Sequence, residues 1–195
     1  ANQMLKTDGS GNLSFTTVAS GGLAHLSTVT ASGASTVDIE TTLDATYDAY
    51  KLIVTDYTAA TDGQQVQILM KIGGSYLTAG YHHASITDDV NQGGRADRSG
   101  SKYGETGGGY IMMGLSYGND AHATANFVID IYNPADTAIA HIIRYEGTYF
   151  EDDNDIHVLQ GCGANNTTGA LTGLRIKAGS GNISGRFRLY GITNG

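Results

Sequence analysis

The chain has 195 residues, of which 28 are glycine and one is proline, and a formal net charge of −8 from 11 basic and 19 acidic side chains. Hydrophobic residues make up 40% and charged residues only 15%, which excludes a charged disordered chain and a coiled coil. The acidic balance argues against general nucleic-acid binding, because affinity for phosphates depends on clustered cations.

The first 22 residues predict a short arm ahead of the main domain. Residues 5–15 place a turn signal, Asp8 to Asn12, between two apolar pieces, which is typical of a small hairpin or an extended arm. Residues 16–22 are small and linker-like. An arm of this size cannot bury a core alone, so we expect its apolar side chains to contact a partner. These candidate contact residues are Met4, Leu5, Leu13 and Phe15.

The remainder, residues 23–195, predicts one domain of short strands separated by Gly, Asn, Asp and Ser. Apolar and polar residues alternate, for example in 64–72, 126–132 and 185–192, which indicates one buried and one solvated face per strand. The helix-like piece at 41–48 is better explained as a turn. We therefore expect an all-β, antiparallel β-sandwich or barrel. The predicted strands are 26–30, 35–39, 50–55, 64–72, 81–86, 110–115, 124–132, 139–149, 157–160, 171–177 and 185–192.

Residues 88–109 differ from the rest because they contain many glycines and almost no apolar side chains. We predict a long exposed loop with Arg95, Arg98 and Lys102 as its basic tips. Loops of this length often carry function, so this segment is a second candidate contact surface. A tolerated surface insertion is the alternative interpretation.

Few residues suggest a metal or a reactive group. Asp152, Asp153 and Asp155 supply the oxygen ligands that Ca²⁺ or Mg²⁺ prefers, but the run lacks the pattern of an EF-hand, so a solvated loop is favoured. The single Cys162 excludes a disulfide framework within the chain, and a buried structural thiol is favoured over a nucleophile. The histidines are scattered, and we expect no cofactor.

The sequence contains no nucleophile elbow, Walker loop, dinucleotide fingerprint or zincin helix, and no pair of carboxylates stands out as a glycosidase pair. We therefore expect no enzymatic activity. No apolar run approaches the roughly 20 residues that span a bilayer, and the N-terminus does not read as a signal peptide, so we expect no membrane contact.

Three segments resemble the distal head domains of tail-fibre-like proteins of tailed bacteriophages, notably marine and cyanobacterial ones. Residues 5–15 (LKTDGSGNLSF) resemble the segment that introduces such heads, and residues 181–192 (GNISGRFRLYGI) resemble their closing strand. Residues 45–54 (ATYDAYKLIV) are similar to an early strand, and the order of the three pieces agrees.

This resemblance implies a virion structural protein with a jelly-roll-like head, usually a homotrimer, made in the bacterial cytoplasm and exposed on the virion surface. The expected partners are further copies of the chain and other virion proteins. A fibre tip, spike or adaptor of the tail acting in attachment is the first interpretation, and a capsid decoration protein is the alternative. A module that binds a host-surface glycan, and a glycan-degrading enzyme, remain open as further classes.

Overall fold

The computed structural model describes residues 3–17, 22–40, 43–89, 101–153 and 155–192. Within these ranges the chain forms fifteen β-strands and no helix, which confirms the predicted all-β class. The strands are β1 (Gln3–Thr7), β2 (Leu13–Thr17), β3 (Leu23–Ala34), β4 (Val37–Ile39), β5 (Ala49–Ala59), β6 (Gln64–Ile72), β7 (Ser75–Tyr76), β8 (Tyr81–Asp89), β9 (Ser101–Gly108), β10 (Ile111–Tyr117), β11 (Ala125–Tyr132), β12 (Ala140–Phe150), β13 (Ile156–Thr168), β14 (Leu171–Ala178) and β15 (Ile183–Ile192).

Two antiparallel sheets pack into a sandwich, and the β1–β2 hairpin forms a separate two-stranded sheet. The large sheet has the order β3-β15-β5-β11-β12-β13-β8-β9, and the small sheet has the order β10-β6-β14-β4 with β7 on β6. Eight of these strands reproduce a jelly roll, with β3-β15-β5-β11 in one layer and β4-β14-β6-β10 in the other. The other large-sheet strands, β12, β13, β8 and β9, extend that sheet beyond the jelly roll.

The core lies between the two sheets and follows the predicted alternation. Val66, Ile68 and Met70 on β6 are fully buried, as are Phe187 and Leu189 on β15. Period-2 patterning therefore identified the inward face of both layers correctly. Residues 43–48 form turns and not a helix, as predicted.

Tyrosine side chains join the two layers across the core. The hydroxyl of Tyr81, on β8, accepts a hydrogen bond from the backbone N–H of Met70 at 2.6 Å and donates to the carbonyl of Leu77 at 3.2 Å. The hydroxyl of Tyr145, on β12, donates to the carbonyl of Met112 at 2.9 Å. Each ring fills apolar volume while its hydroxyl satisfies a backbone group of the opposite sheet.

Two expectations were wrong in part or in full. The predicted loop at 88–109 is a strand over Ser101–Gly108, because the backbone of β9 pairs antiparallel with β8 and needs no apolar pattern at a sheet edge. Cys162 is exposed, not buried, because it lies on the outward-facing positions of β13. The alternation in residues 126–132 also places Asp130 on the solvated face of β11, but Asp130 is buried.

Candidate interaction surfaces

The N-terminal hairpin has a well-defined turn. Asp8 Oδ1 accepts hydrogen bonds from the backbone N–H of Ser10 at 2.8 Å and of Asn12 at 3.2 Å, and Asn12 Nδ2 donates to Asp8 Oδ2 at 2.7 Å. These bonds, that of the Asn12 amide first, lower the pKa of Asp8. Gly9 and Gly11 have φ values of 80° and 89°, which the turn needs and which glycine adopts without strain. Of the two predicted forms, a small hairpin or an extended arm, the structure has the hairpin.

One face of this hairpin is apolar and exposed. Leu5 pairs with Phe15 and Thr7 pairs with Leu13, and opposite residues of an antiparallel pair project from the same face. Leu5, Leu13 and Phe15 are 54%, 65% and 70% exposed. Lys6 pairs with Ser14 on the opposite face. Met4, the fourth predicted contact residue, lies on β1, and its side chain is outside the described residues.

A second apolar surface lies on the outward face of the large sheet, where β12, β13 and β8 are neighbours. Small side chains occupy its centre, since Cys162 on β13 pairs with Ala84 on β8. Exposed aliphatic side chains lie on the same face, with Ile142 at 60%, and so do the polar side chains of Arg144, directly opposite Cys162, and of Gln160. We call this surface the extension patch and define it as Ala84, Ile86, Ile142, Val158, Cys162 and Ala164.

The extension patch contains two shallow depressions that lie side by side. The larger, about 510 Å³, is lined by Ile86, Gly161 and Arg144 among others, and the smaller, about 300 Å³, by Ile142 and Ala164 among others. Ala84 and Cys162 line both. The two residues that the depressions share therefore have small side chains.

Exposed large hydrophobic residues concentrate on these two surfaces. Among the described residues, three of the ten belong to the hairpin, and Ile86, Ile142, Ile156 and Val158 lie on the outward face of β8, β12 and β13. Single exposed apolar residues need no explanation, but contiguous groups mark contact sites. The distribution therefore points to interaction surfaces.

Arg144, the cation directly opposite Cys162 in the extension patch, is paired within the chain. Arg144 donates to Asp130 at 3.3 Å and to Glu146 at 2.7 Å. Lys51 also donates to Asp130, whose carboxylate is thus held between two cations and covered by them. An anionic ligand would have to compete with these carboxylates, so the patch is suited to an apolar partner.

The acidic turn between β12 and β13 only partly matches the predicted metal candidates. Carboxylate oxygens of Glu151, Asp152 and Asp153 lie within 4.8 Å of one another, whereas Asp155 is not in this group. Glu151 Oε2 lies 2.9 Å from His157 Nε2. Burial raises the pKa of Glu151, and the neighbouring His157 opposes that shift. The turn is closed by a backbone hydrogen bond from Glu151 N to Asp155 O at 2.9 Å, so its geometry is explained without an ion.

The side chains of the three predicted basic tips lie outside the described part of the chain. Arg95 and Arg98 lie outside the described residues. Lys102 belongs to β9, where it pairs with Ile86, and its side chain is likewise outside the description. Their role in contacts stays a prediction.

Sequence reasoning missed the extension patch, although a signal was present. Two consecutive apolar residues place apolar side chains on both faces of a strand. Such pairs occur on β12, at Ile142 and Ile143, and on β13, at Val158 and Leu159. Strands covered on both sides have this pattern, whereas a strand with one solvated face alternates. Ile143 and Leu159 fill the core, and Ile142 and Val158 are left on the outside.

The described part of the chain contains no helix long and apolar enough to cross a membrane. The sequence matches no protein-family model. Searches of curated proteins and of solved structures find no similar protein either. The function must therefore be argued from the fold and from the two apolar surfaces.

Proposed function

We propose that the protein is a virion structural protein of a tailed bacteriophage: a homotrimeric, surface-exposed β-sandwich module of the tail, at a fibre tip, spike or adaptor, that acts in attachment. The observation that carries the proposal is the β1–β2 hairpin, whose apolar face of Leu5, Leu13 and Phe15 is exposed next to a complete jelly roll. An isolated two-stranded hairpin is at best marginally stable in water, so this one needs a partner surface.

The role that we propose is structural and not catalytic. The larger depression is lined mainly by small and apolar residues, and its charged residue, Arg144, is bonded to carboxylates of its own chain. Such a surface favours packing against another protein over the binding and turnover of a polar substrate.

The same hairpin also supports a second candidate, a capsid decoration protein. An exposed apolar arm beside a folded domain is equally suited to clamping a capsid subunit. In that case the partner of the hairpin is a capsid protein and the module lies on the head of the particle.

Immunogold labelling of intact virions with an antibody against this chain tests the proposal. Label at the tail supports the attachment module, and label distributed over the capsid supports the decoration protein. Virions without label, from a phage that expresses the chain, would overturn both. A glycan array with the purified protein adds a third result, because binding would assign the module to host-glycan recognition.

A further inference from the structure

We infer that the β1–β2 hairpin of one copy docks its apolar face onto the extension patch of a neighbouring copy. The inference rests on the oligomeric part of the proposed function and is independent of where the protein lies in a virion. The subunit contact has two sides: the hairpin of one copy, and strands β12, β13 and β8 of its neighbour.

The first argument is that, among the residues that the structure describes, neither surface is covered by another part of its own chain. Leu5, Leu13 and Phe15 are more than half exposed, and so are Ile86 and Ile142 on the patch. If the hairpin lay on the patch of its own chain, both sets would be buried. The occupant of each surface is therefore supplied by another molecule, and a second copy carries the complementary surface.

The second argument is size. Five residues per strand make the hairpin about 17 Å long, with about 5 Å between its strand axes. The patch extends about 20 Å along β13 from Val158 to Ala164, and about 10 Å across from β12 to β8. The hairpin therefore fits within the patch. Phe15, the largest side chain on the hairpin face, can lie over the small side chains of Ala84 and Cys162, which are direct partners on adjacent strands.

The third argument is charge. The hairpin face presents Leu5, Thr7, Leu13 and Phe15, none of which is charged, and its Lys6 is on the opposite face. Arg144 lies directly opposite Cys162 in the strand register and is already held by Asp130 and Glu146. Docking over Arg144 therefore leaves this cation with its two carboxylate partners, and a buried unpaired charge is what most opposes association.

The geometry of the contact also defines the assembly. The donor and acceptor are different surfaces of the same chain, so the contact is heterologous, and each copy gives one hairpin and receives one. Contacts of this type form a closed ring when the rotation between neighbours closes. The proposed trimer is such a ring, with three equivalent contacts.

Cysteine cross-linking tests the docking directly, because Cys162 is the single cysteine and lies in the patch. Thr7→Cys adds a second thiol on the hairpin face and keeps Leu5, Leu13 and Phe15 intact. The full-length variant is treated with a short bis-maleimide and analysed on denaturing gels, and covalent trimers are expected. The wild type and the variant that combines Thr7→Cys with Cys162→Ser have one thiol per chain, so they can give dimers at most.

The patch itself is tested with two matched isoleucines. Ile142→Asp places a charge in the patch, whereas Ile139→Asp places the same charge at an exposed isoleucine outside it. We expect Ile142→Asp to convert the trimer to monomer in light scattering, and Ile139→Asp to leave it unchanged. Circular dichroism verifies that both variants are folded.

The outcomes separate this inference from the proposed function. A trimer by light scattering whose Thr7→Cys variant is still trimeric but gives no cross-linked species above a dimer overturns the docking and leaves the trimer standing. Cross-links confined to single chains, identified by mass spectrometry, also overturn it. A wild-type monomer overturns both the docking and the trimeric part of the proposed function, whereas the virion location is decided by labelling alone.

Discussion

The hydroxyl of Tyr145 crosses the core from the large sheet and donates a hydrogen bond to the backbone carbonyl of Met112 in the small sheet, 2.9 Å away. Tyr145 is fully buried, and burial raises the pKa of its phenol. This contact connects β12, the first strand of the sheet extension, to β10 of the jelly roll. The extension is therefore anchored to the opposite layer as well as to its neighbours in the sheet.

Tyr145→Phe should lower the free energy of unfolding by about 1–3 kcal/mol, because it leaves a buried carbonyl without its donor. Urea denaturation followed by circular dichroism measures the change. Tyr132→Phe is the control, since Tyr132 is an exposed residue of the neighbouring strand β11 and should change little. Equal stability of Tyr145→Phe and wild type would show that the bond does not hold the layers together.

Gly163→Ala should destabilise the protein by about 1–3 kcal/mol through overpacking. A Cβ at Gly163 would lie 2.5 Å from Cγ2 of Ile111, in the opposite sheet. Ile111→Ala alone should also destabilise, by leaving a cavity. The double variant should lose less stability than the sum of the two single losses, because each substitution relieves the other. Strict additivity in urea denaturation would argue against direct packing of β13 on β10.

Tyr76→Phe should raise the pKa of Glu40 towards its ordinary value. The Tyr76 hydroxyl donates to Glu40 at 2.7 Å, and this bond, followed by that from Lys71, lowers the pKa of the carboxyl. The variant keeps the ring beneath the Arg175 guanidinium, whose carbon is 4.1 Å from the ring centroid, so only the hydroxyl is lost. NMR titration of the Glu40 carboxyl carbon measures the effect.

The sign of the accompanying stability change follows from linkage. A carboxyl whose pKa is lower in the folded state stabilises the fold above its unfolded pKa, and that contribution is lost as the pH falls through the folded pKa. Wild type should therefore exceed Tyr76→Phe in stability near neutral pH, and the difference should shrink below the ordinary Glu pKa of 4.5. A difference that grows on acidification would contradict this assignment.

Substituting the apolar face of the hairpin should abolish assembly without unfolding the sandwich. The change is Leu13→Ser together with Phe15→Ser, both on exposed side chains, and light scattering should report monomers. Lys6→Ser, on the opposite face, should leave the assembly intact. Near-native circular dichroism of the monomer would show that the head folds without the contact. Trimers that survive the double substitution would exclude the hairpin as the assembling element.

The basic residues of the region 88–109 give a separate prediction about attachment. Arg95, Arg98 and Lys102 are cations on an otherwise acidic chain, so they are suited to an acidic host glycan or an acidic virion partner. Replacing all three with Ala should reduce adsorption of virions to host cells or incorporation of the protein into virions. If neither quantity changes, this region is not the working surface.

The inward face of the sandwich could be predicted because burial imposes a period of two on a single strand. Val66, Ile68 and Met70 show it without any knowledge of their neighbours. The extension patch could not be predicted in the same way. Ala84, Ile142 and Cys162 lie on three different strands and become adjacent only through the register of β8, β12 and β13. Strand β9 could not be predicted either, because it forms by backbone pairing with β8 at the edge of the sheet and its residues show no alternation of apolar and polar side chains.

The place of β15 between β3 and β5 has a consequence for the order of events during synthesis. These two flanking strands are among the first of the head to be translated, yet they meet only through residues of Ile183–Ile192, which leave the ribosome much later. Until then a nascent chain presents both strands as open edges. Contacts between residues so far apart in sequence also slow folding after release.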